Sequence, residues 1–147
     1  MTIHEPNPPA SKENPRLLRV LLVEDSPADA ELSLRELWKA GYEIHADVVQ
    51  TPEEFAERLR LNLYDIVLSD YNLPNWTGAD ALESLRQQGY DMPLILVTGS
   101  LGEEAAVECL KKGASDYVLK DRLARLQVAV PRALEERARR EEHERMQ

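Results

Sequence analysis

Short apolar runs alternate with amphipathic segments along most of the chain, and these runs predict the strands. Residues 17–23 are nearly all apolar, and residues 66–68 and 93–97 contain no polar side chain. Runs of this length are typical of strands that are buried on both faces of a parallel sheet. Residues 44–49 and 117–119 predict two further strands.

Helical patterns follow each of these runs. Thr51, Pro52 and Glu54 combine a capping residue, a first-turn proline and a capping-box acid, and together they predict a helix start. Strand and helix alternate five times, which predicts right-handed crossovers and an α/β fold with helices on both faces of a parallel sheet. The predicted helices cover residues 27–40, a segment from 52, residues 79–88, residues 103–112 and a segment from 123.

Both ends of the chain differ from its middle. Residues 1–16 hold four of the nine prolines among polar residues, so we expect a mobile amino-terminal tail. Residues 17–130 are expected to form one domain, and residues 131–147 a charged helical extension or linker. Pro131 predicts a kink or a restart of the last helix. Oppositely charged residues four apart predict ion pairs in the extension: Glu135 with Arg139, Glu136 with Arg140, and Glu141 with Arg145.

Composition narrows the class of protein. With 147 residues and 43% hydrophobic side chains, the chain can bury one sizeable core. Its apolar runs are too short to span a membrane and no apolar signal core opens the sequence, so we expect a soluble cytoplasmic protein. The single cysteine excludes an intramolecular disulfide. A net charge of −9 argues against a general affinity for nucleic acid and suits a metal cation or a basic partner.

Polar side chains with distinct chemistry follow four of the predicted strands. The carboxyl ends of parallel strands share one edge of the sheet, and α/β proteins bind ligands there. Three carboxylates at that edge repel one another unless a cation neutralises them, and Mg²⁺ prefers such oxygen ligands. A lysine and a hydroxyl beside them can stabilise a phosphoryl group. The pattern therefore indicates phosphoryl transfer by five residues: Glu24, Asp25, Asp70, Thr98 and Lys120.

These residues stand in four motifs that occur in order along the chain: LLVEDSPADAEL, VLSDYNLPNWTG, LILVTGS and GASDYVLK. In these motifs the sequence resembles the receiver domain of response regulators in bacterial two-component signalling, the CheY-like superfamily, over residues 17 to about 130. The resemblance implies a doubly wound five-stranded parallel sheet with the flavodoxin-like strand order 2-1-3-4-5. It also implies five helices, the last of them extended here at the carboxyl end.

The resemblance further implies which residues hold the phosphoryl group and its metal. Asp70 would be the phosphoacceptor, attacking a phosphohistidine of a histidine kinase or phosphotransfer protein. Asp25, Asp70 and the backbone carbonyl of Asn72 would bind Mg²⁺, and Glu24 would act through a metal-bound water. The chain would be a signalling switch, and it would catalyse only its own phosphorylation and dephosphorylation.

Three further roles follow from the resemblance. Thr98 would bond the phosphoryl group, and Lys120 would pair with Asp70 before phosphorylation and with a phosphoryl oxygen after it. Tyr117 matches the aromatic residue that turns inward when the threonine moves. The added charge gives such a switch its physical basis. We expect the surface of the fourth helix, fifth strand and fifth helix to change, together with the carboxyl-terminal helix.

Lys120 is followed by Asp121, whereas most receivers have a proline here that is joined through a cis bond. A cis bond to a residue other than proline costs roughly 2.5–4 kcal/mol. We therefore predict a trans Lys120–Asp121 peptide bond. The difference leaves the acceptor chemistry intact, and it puts the usual shape of the neighbouring surface in doubt.

Several alternatives are open at the level of sequence. A Mg²⁺-dependent phosphohydrolase of the haloacid dehalogenase type uses similar groups, although residues 24–27 lack that family's Asp-x-Asp pattern. A protein-binding module would keep the fold without phosphorylation. Trp76 is either an exposed partner contact or a lid on the sheet edge. The last turns of the carboxyl-terminal helix would be solvated and fray, or the helix would form a homodimer or lead into a larger sensor kinase or other effector.

Overall fold

A six-stranded sheet forms the centre of the fold. The structure is a computed structural model, and it describes residues 2–4, 16–99 and 103–146. Two of the eight strands in the described residues form a separate small hairpin. The strands are β1 (Thr2–His4), β2 (Arg16–Val23), β3 (Tyr42–Val49), β4 (Ile66–Ser69), β5 (Asn72–Leu73), β6 (Trp76–Thr77), β7 (Leu94–Thr98) and β8 (Asp116–Leu119).

The order of strands in the large sheet is β1-β3-β2-β4-β7-β8. All neighbours from β3 to β8 pair in parallel, and they are the five predicted strands in the predicted order. The sheet also has a sixth strand that was not predicted. β1 pairs antiparallel with the outer edge of β3, where Thr2 lies opposite Asp47. The segment expected to be a tail thus contains an edge strand, and its residues 1 and 5–15 lie outside the described part.

Five helices cover the two faces of the sheet, as predicted. Because the parallel strands are covered on both sides, alternate residues enter two separate cores: Val20 and Leu22 of β2 face one core, and Leu21 and Val23 face the other. No described helix combines the length and apolar character that a membrane span requires. The first core is covered by α1 (Pro27–Lys39) and α5 (Leu126–Arg145), and the second by α2 (Pro52–Leu61), α3 (Gly78–Gln87) and α4 (Glu103–Lys111).

Local sequence determines where these helices begin and end. At α2, the Thr51 hydroxyl accepts a hydrogen bond from the Glu54 N–H, and the Glu54 carboxylate accepts one from the Thr51 N–H. The predicted capping box is therefore confirmed. Ser26 caps α1 through its own hydroxyl. Gly41 and Gly89 follow α1 and α3 with φ angles of 99° and 84°, a backbone region that glycine adopts without a steric penalty.

The chain reaches α5 through a 3₁₀ helix at Lys120–Arg125. Its backbone leaves the helical region at Arg122, and α5 is then continuous from Leu126 to Arg145. Of the two outcomes predicted at Pro131, the restart was wrong, and the kink stays a prediction. Pro131 lies in the second turn of α5, where it removes one hydrogen bond and the helix continues. No cis peptide bond occurs among the described residues, so the predicted trans Lys120–Asp121 bond is confirmed.

The charged end of α5 contacts the rest of the domain through Arg137. Its guanidinium donates to the Asp91 carboxylate at 3.1 Å and to the Asp65 carbonyl at 3.4 Å, and it pairs with Glu141 at 3.0 Å. The helix therefore remains docked beyond residue 130, where the domain was expected to end. Among the described residues of this end, the close pairs are Glu136 with Arg139 and Glu142 with Arg145, three residues apart, and Arg137 with Glu141, four apart. Two of the predicted pairs interact only through their charges: Glu135 with Arg139 and Glu136 with Arg140.

The Asp47 carboxylate fixes β1 to the rest of the sheet. It accepts hydrogen bonds from the hydroxyl groups of Thr2 and Tyr64, and it lies 3.8 Å from Arg58. Burial alone would raise the pKa of Asp47, but the two hydrogen bonds and the Arg58 charge outweigh it and hold that pKa below its usual value. One side chain thus joins β1, β3 and the segment before β4.

We expect Asp47→Asn to lower the free energy of unfolding by about 1 kcal/mol at neutral pH, because an amide accepts these hydrogen bonds less well. A carboxyl with a depressed folded-state pKa contributes stability above its unfolded pKa of about 3.9, and that contribution is lost as pH falls through the folded value. Urea unfolding should show a difference near pH 7 that shrinks below about pH 4. Glu144→Gln changes an exposed carboxylate near the end of α5 and serves as the control. A difference that persists unchanged at low pH would contradict this role of the Asp47 charge.

A second prediction concerns Gly78, the first residue of α3. A Cβ atom here would lie 2.7 Å from the Asp70 carbonyl oxygen and 2.7 Å from Cδ2 of Leu96. We therefore expect Gly78→Ala to destabilise the protein by about 1–3 kcal/mol in thermal unfolding. Gly99→Ala is the control, since its Cβ would come no nearer than 3.9 Å to Lys120. Equal melting temperatures of Gly78→Ala and the parent would refute the steric argument.

Candidate functional site

Glu24 and Asp70 emerge side by side from two neighbouring strands. In the parallel register of β2 and β4, Val23 lies opposite Ser69, so the two residues that follow leave the sheet together. The Asp70 N–H donates to the Val23 carbonyl at 2.9 Å, and the Glu24 N–H donates to the Val49 carbonyl at 3.0 Å. These bonds fix the backbone at both positions. Both residues are buried, with Glu24 4% and Asp70 7% exposed.

Lys120 follows β8 and brings a positive charge to these carboxylates. Its Nζ atom lies 2.8 Å from Oδ2 of Asp70, 2.9 Å from Oε2 of Glu24 and 2.8 Å from Oδ2 of Asp29. An ammonium group has three N–H donors, and each has a carboxylate acceptor within reach here. The structure therefore brings Lys120 and Asp70 together and adds Asp29 to the cluster.

Burial and charge oppose each other in this cluster. For Glu24, desolvation is the largest effect and raises the pKa of the carboxyl above its usual value, against hydrogen bonds from Lys120 and from the Ser26 N–H. For Lys120, burial alone would lower the pKa of the ammonium, but its hydrogen bonds to carboxylates raise it above the ordinary value. Lys120 is thus held as a cation, whereas the negative charge of Glu24 is only partly balanced.

Glu24, Asp25 and Asp70 form a group of oxygen donors that fits a metal cation. Each offers one carboxylate oxygen, and these oxygens lie within 4.8 Å of one another. Glu24 and Asp70 are buried, whereas Asp25 is exposed at the sheet edge. Mg²⁺ prefers such ligands, and a dication offsets the desolvation that raises the pKa of Glu24. The donor set therefore fits the predicted Mg²⁺.

Thr98 ends β7 with a buried hydroxyl group. This hydroxyl has no hydrogen-bond partner within the described ranges, which is rare because an unpaired buried polar group costs free energy. β7 lies between β4 and β8, so Thr98 leaves the sheet between Asp70 and Lys120. The β7–β8 register places the half-buried Tyr117 on the same face as Thr98, offset by two residues.

The segment after Asp70 continues into the hairpin β5–β6. Asn72 opens β5 with an exposed side chain, and the role of its backbone carbonyl as a metal ligand stays a prediction. Trp76 in β6 is buried: its indole N–H donates to the Gln50 carbonyl at 2.9 Å, and its ring meets Phe55 edge-on at 5.7 Å between centroids. Trp76 is thus a packing residue that closes the sheet edge and not an exposed partner contact.

Asp29 belongs to the site although no motif in the sequence predicted it. Its N–H donates to the Ser26 hydroxyl at 3.3 Å, which places Asp29 in the first turn of α1. A signal was present: Ser26 and Pro27 mark a helix start, and an acid three residues after the cap lies in the first turn. Because α1 begins where β2 ends, that turn lies at the same sheet edge as Glu24.

The arrangement suits transfer of a phosphoryl group to a carboxylate. A buried aspartate can act as the nucleophile, and a fixed ammonium beside it can neutralise developing negative charge. An unpartnered hydroxyl and an oxygen-lined cation site complete the set of groups that hold phosphoryl oxygens.

Known proteins match this chain over the part that carries these residues. The cell cycle transcriptional regulator CtrA of Caulobacter vibrioides is 31% identical over 121 residues, which are 79% of this chain and 52% of that protein. The luminescence regulatory protein LuxO of Vibrio campbellii is 32% identical over 114 residues, which are 77% of this chain and 25% of that protein. The chain thus spans about half of one curated relative and a quarter of the other.

Solved structures share the fold. The signal receiver domain of a Luxo repressor protein from Vibrio parahaemolyticus is 29% identical with a TM-score of 0.71, covering 84% of this chain and 95% of that one. A CheY-like receiver domain from Methanospirillum hungatei is 27% identical with a TM-score of 0.72, covering 84% and 98%. The family model described as the response regulator receiver domain matches residues 20–130. The chain therefore belongs to the family of response regulator receiver domains.

Proposed function

We propose that Asp70 accepts a phosphoryl group from the phosphohistidine of a histidine kinase or phosphotransfer protein. Receiver domains are phosphorylation-dependent signalling switches, and this assignment names the acceptor and the donor. The observation that carries it is the 2.8 Å contact between Lys120 Nζ and Asp70 Oδ2, in a cluster with Glu24 and Asp25. That contact gives the acceptor carboxylate the adjacent positive charge that an incoming phosphoryl group requires.

The proposed transfer is a displacement at phosphorus. A carboxylate oxygen of Asp70 attacks the phosphorus atom, and the bond from phosphorus to the donor's imidazole nitrogen breaks. That nitrogen keeps the electron pair and takes up a proton from solvent, which leaves an acyl phosphate on Asp70. Lys120 neutralises charge on the phosphoryl oxygens as it develops. Water later attacks the phosphorus atom, the bond from phosphorus to the Asp70 oxygen breaks, and the carboxylate is restored as inorganic phosphate leaves. The chain thereby acts only on its own phosphoryl group.

Glu24, Asp25 and Asp70 would hold Mg²⁺, together with the backbone carbonyl of Asn72. Their carboxylate oxygens within 4.8 Å of one another support this part of the proposal, with Glu24 acting through a bound water. When bound, the metal supplies positive charge that shields the phosphoryl oxygens from the carboxylates. The chain itself holds the three acids on adjacent strand ends.

Thr98 and Tyr117 would carry the signal away from Asp70. A phosphoryl oxygen offers the acceptor that the buried Thr98 hydroxyl lacks among the described residues. Tyr117 lies on the same sheet face and would turn inward as Thr98 moves. Lys120 would transfer its hydrogen bond from Asp70 to the phosphoryl group. The surface of α4, β8 and α5 would then change.

A homodimer through α5, and a connection from α5 into a sensor kinase or other effector, stay predictions. Beyond Leu134 the described side chains of α5 are exposed except for the half-buried Arg137. This end of the helix therefore offers little apolar surface for a stable coiled coil.

The acceptor is tested by intact mass after incubation with acetyl phosphate and Mg²⁺. We expect the parent and the control Asp91→Asn to gain one phosphoryl group and Asp70→Asn to gain none, because an amide oxygen is not a competent nucleophile here. A gain by Asp70→Asn equal to that of the parent would refute the assignment. If hydrolysis is fast, beryllofluoride should raise the melting temperature of the parent and leave that of Asp70→Asn unchanged. Continuous release of phosphate from a small ester would instead favour the phosphohydrolase.

The role of Thr98 is tested by Thr98→Val, which replaces the hydroxyl by a methyl group of similar volume. We expect the unphosphorylated variant to be as stable as the parent or more stable by about 1 kcal/mol, because no hydrogen bond is lost and a buried polar group is removed. Its stabilisation by beryllofluoride should be smaller than that of the parent. Both quantities come from urea unfolding with and without beryllofluoride. Destabilisation of the unphosphorylated variant would show that the hydroxyl already has a partner.

A further inference from the structure

We propose that Asp29 is a positioning residue for Lys120 and determines which phosphodonors the site accepts. The inference rests on the proposed phosphorylation of Asp70. Asp29 lies in the first turn of α1, and its Oδ2 atom is 2.8 Å from Lys120 Nζ, as close as Oδ2 of Asp70. A helical residue outside the strand ends therefore shares the ammonium with the acceptor.

The three acceptors of Lys120 differ in how readily they can release it. The side chain of Glu24 is 4% exposed and that of Asp70 is 10% exposed, whereas that of Asp29 is 37% exposed. Breaking a buried bond leaves a desolvated charge unpaired, but water can replace Lys120 at Asp29. Asp29 is thus the partner that Lys120 leaves most easily.

A phosphoryl oxygen on Asp70 requires a donor from an ammonium group whose three N–H groups are already engaged. The donor that Lys120 gives to Asp70 passes to a phosphoryl oxygen, and release of Asp29 frees a second donor for the phosphoryl group, while Glu24 keeps Lys120 within the site. Before phosphorylation, Asp29 holds the ammonium group on the partly exposed side of the cluster. After phosphorylation, its carboxylate returns to solvent.

The charge of Asp29 also acts on the incoming donor. Glu24, Asp29 and Asp70 place three carboxylates around Lys120, Asp25 lies close to Glu24 and Asp70, and Asp29 is a partly exposed member of this group. An anionic donor meets this negative charge on approach, and a dianion is opposed more strongly than a monoanion. A phosphohistidine on a protein is less affected where basic side chains of the partner surface face Asp29. Asp29 therefore favours a partner protein with a basic surface over small anionic donors.

The test compares phosphorylation rates with acetyl phosphate, a dianion, and phosphoramidate, a monoanion, at Mg²⁺ concentrations that saturate each variant. Removing one unit charge in Asp29→Asn should raise the ratio of the two rates, acetyl phosphate over phosphoramidate, by about threefold to tenfold at low salt. The gain should shrink as salt is added. Asp29→Glu keeps the charge and should restore the parental ratio. Asp91→Asn makes the same chemical change in the segment before β7, at the opposite edge of the sheet. It should leave the ratio unchanged.

A merely structural role for Asp29 would change both rates by the same factor. An unchanged ratio in Asp29→Asn therefore overturns the inference. The proposed function is upheld separately if the parent is phosphorylated. Phosphorylation of the parent by neither donor overturns both. Hydrogen exchange of the Lys120 ammonium, followed by NMR without any donor, reports on positioning alone. Exchange should be faster in Asp29→Asn and unchanged in Asp91→Asn, and equal rates in Asp29→Asn and the parent overturn the positioning role.

Discussion

Repulsion among buried carboxylates is the constraint on which the site depends. Glu24 and Asp70 leave adjacent parallel strands at one level of the sheet, and the bonds of their N–H groups to Val49 and Val23 keep them there. The backbone therefore cannot separate the two charges, and the pKa of Glu24 is raised by burial first and, to a smaller extent, by the Asp70 charge. Lys120, which directly follows β8, neutralises part of this negative charge. Its three hydrogen bonds join the end of the outermost parallel strand to the centre of the sheet and to α1.

The two cores make this arrangement rigid. Every residue of β4 and β7 is buried, and alternate side chains enter opposite cores, so a shift of either strand would disturb packing on both faces. Gly78 shows how little space remains, since even a methyl group there would meet the Asp70 carbonyl. Because this framework resists a shift of the strands, the proposed phosphoryl group would be accommodated by rearrangement of the Thr98, Tyr117 and Lys120 side chains.

The sequence predicted the parallel strands and the helices because apolar runs, caps and glycines act locally, whereas the strand order was implied by the resemblance to receiver domains. It predicted five members of the site because residues at the carboxyl ends of parallel strands meet at one edge, whatever the details of packing. It missed β1 because three residues of mixed polarity in a proline-rich segment carry no pattern, and their pairing depends on a long-range bond between Thr2 and Asp47. Asp29 was missed for a related reason: its role depends on Lys120, which lies far along the chain. Pro131 does not end α5 because only one hydrogen bond is lost there, and the turn after it still packs Ala133 and Leu134 against the first core.

Lys120 connects the site to α5. It is both the ammonium donor of the site and the first residue of the 3₁₀ helix that leads into α5. Arg125, at the end of that 3₁₀ helix, binds the Asp116 carboxylate and the Tyr117 carbonyl, and so ties the segment back to β8. Gln127 at the start of α5 donates to Glu36 of α1, the same helix that holds Asp29. A displacement of Lys120 or Tyr117 therefore acts on one short segment whose two ends are held by β8 and α1. Contiguous contacts of this kind provide a physical route for coupling between the site and α5. In this chain the route ends on α5, the charged helix that continues beyond residue 130, where the family match ends.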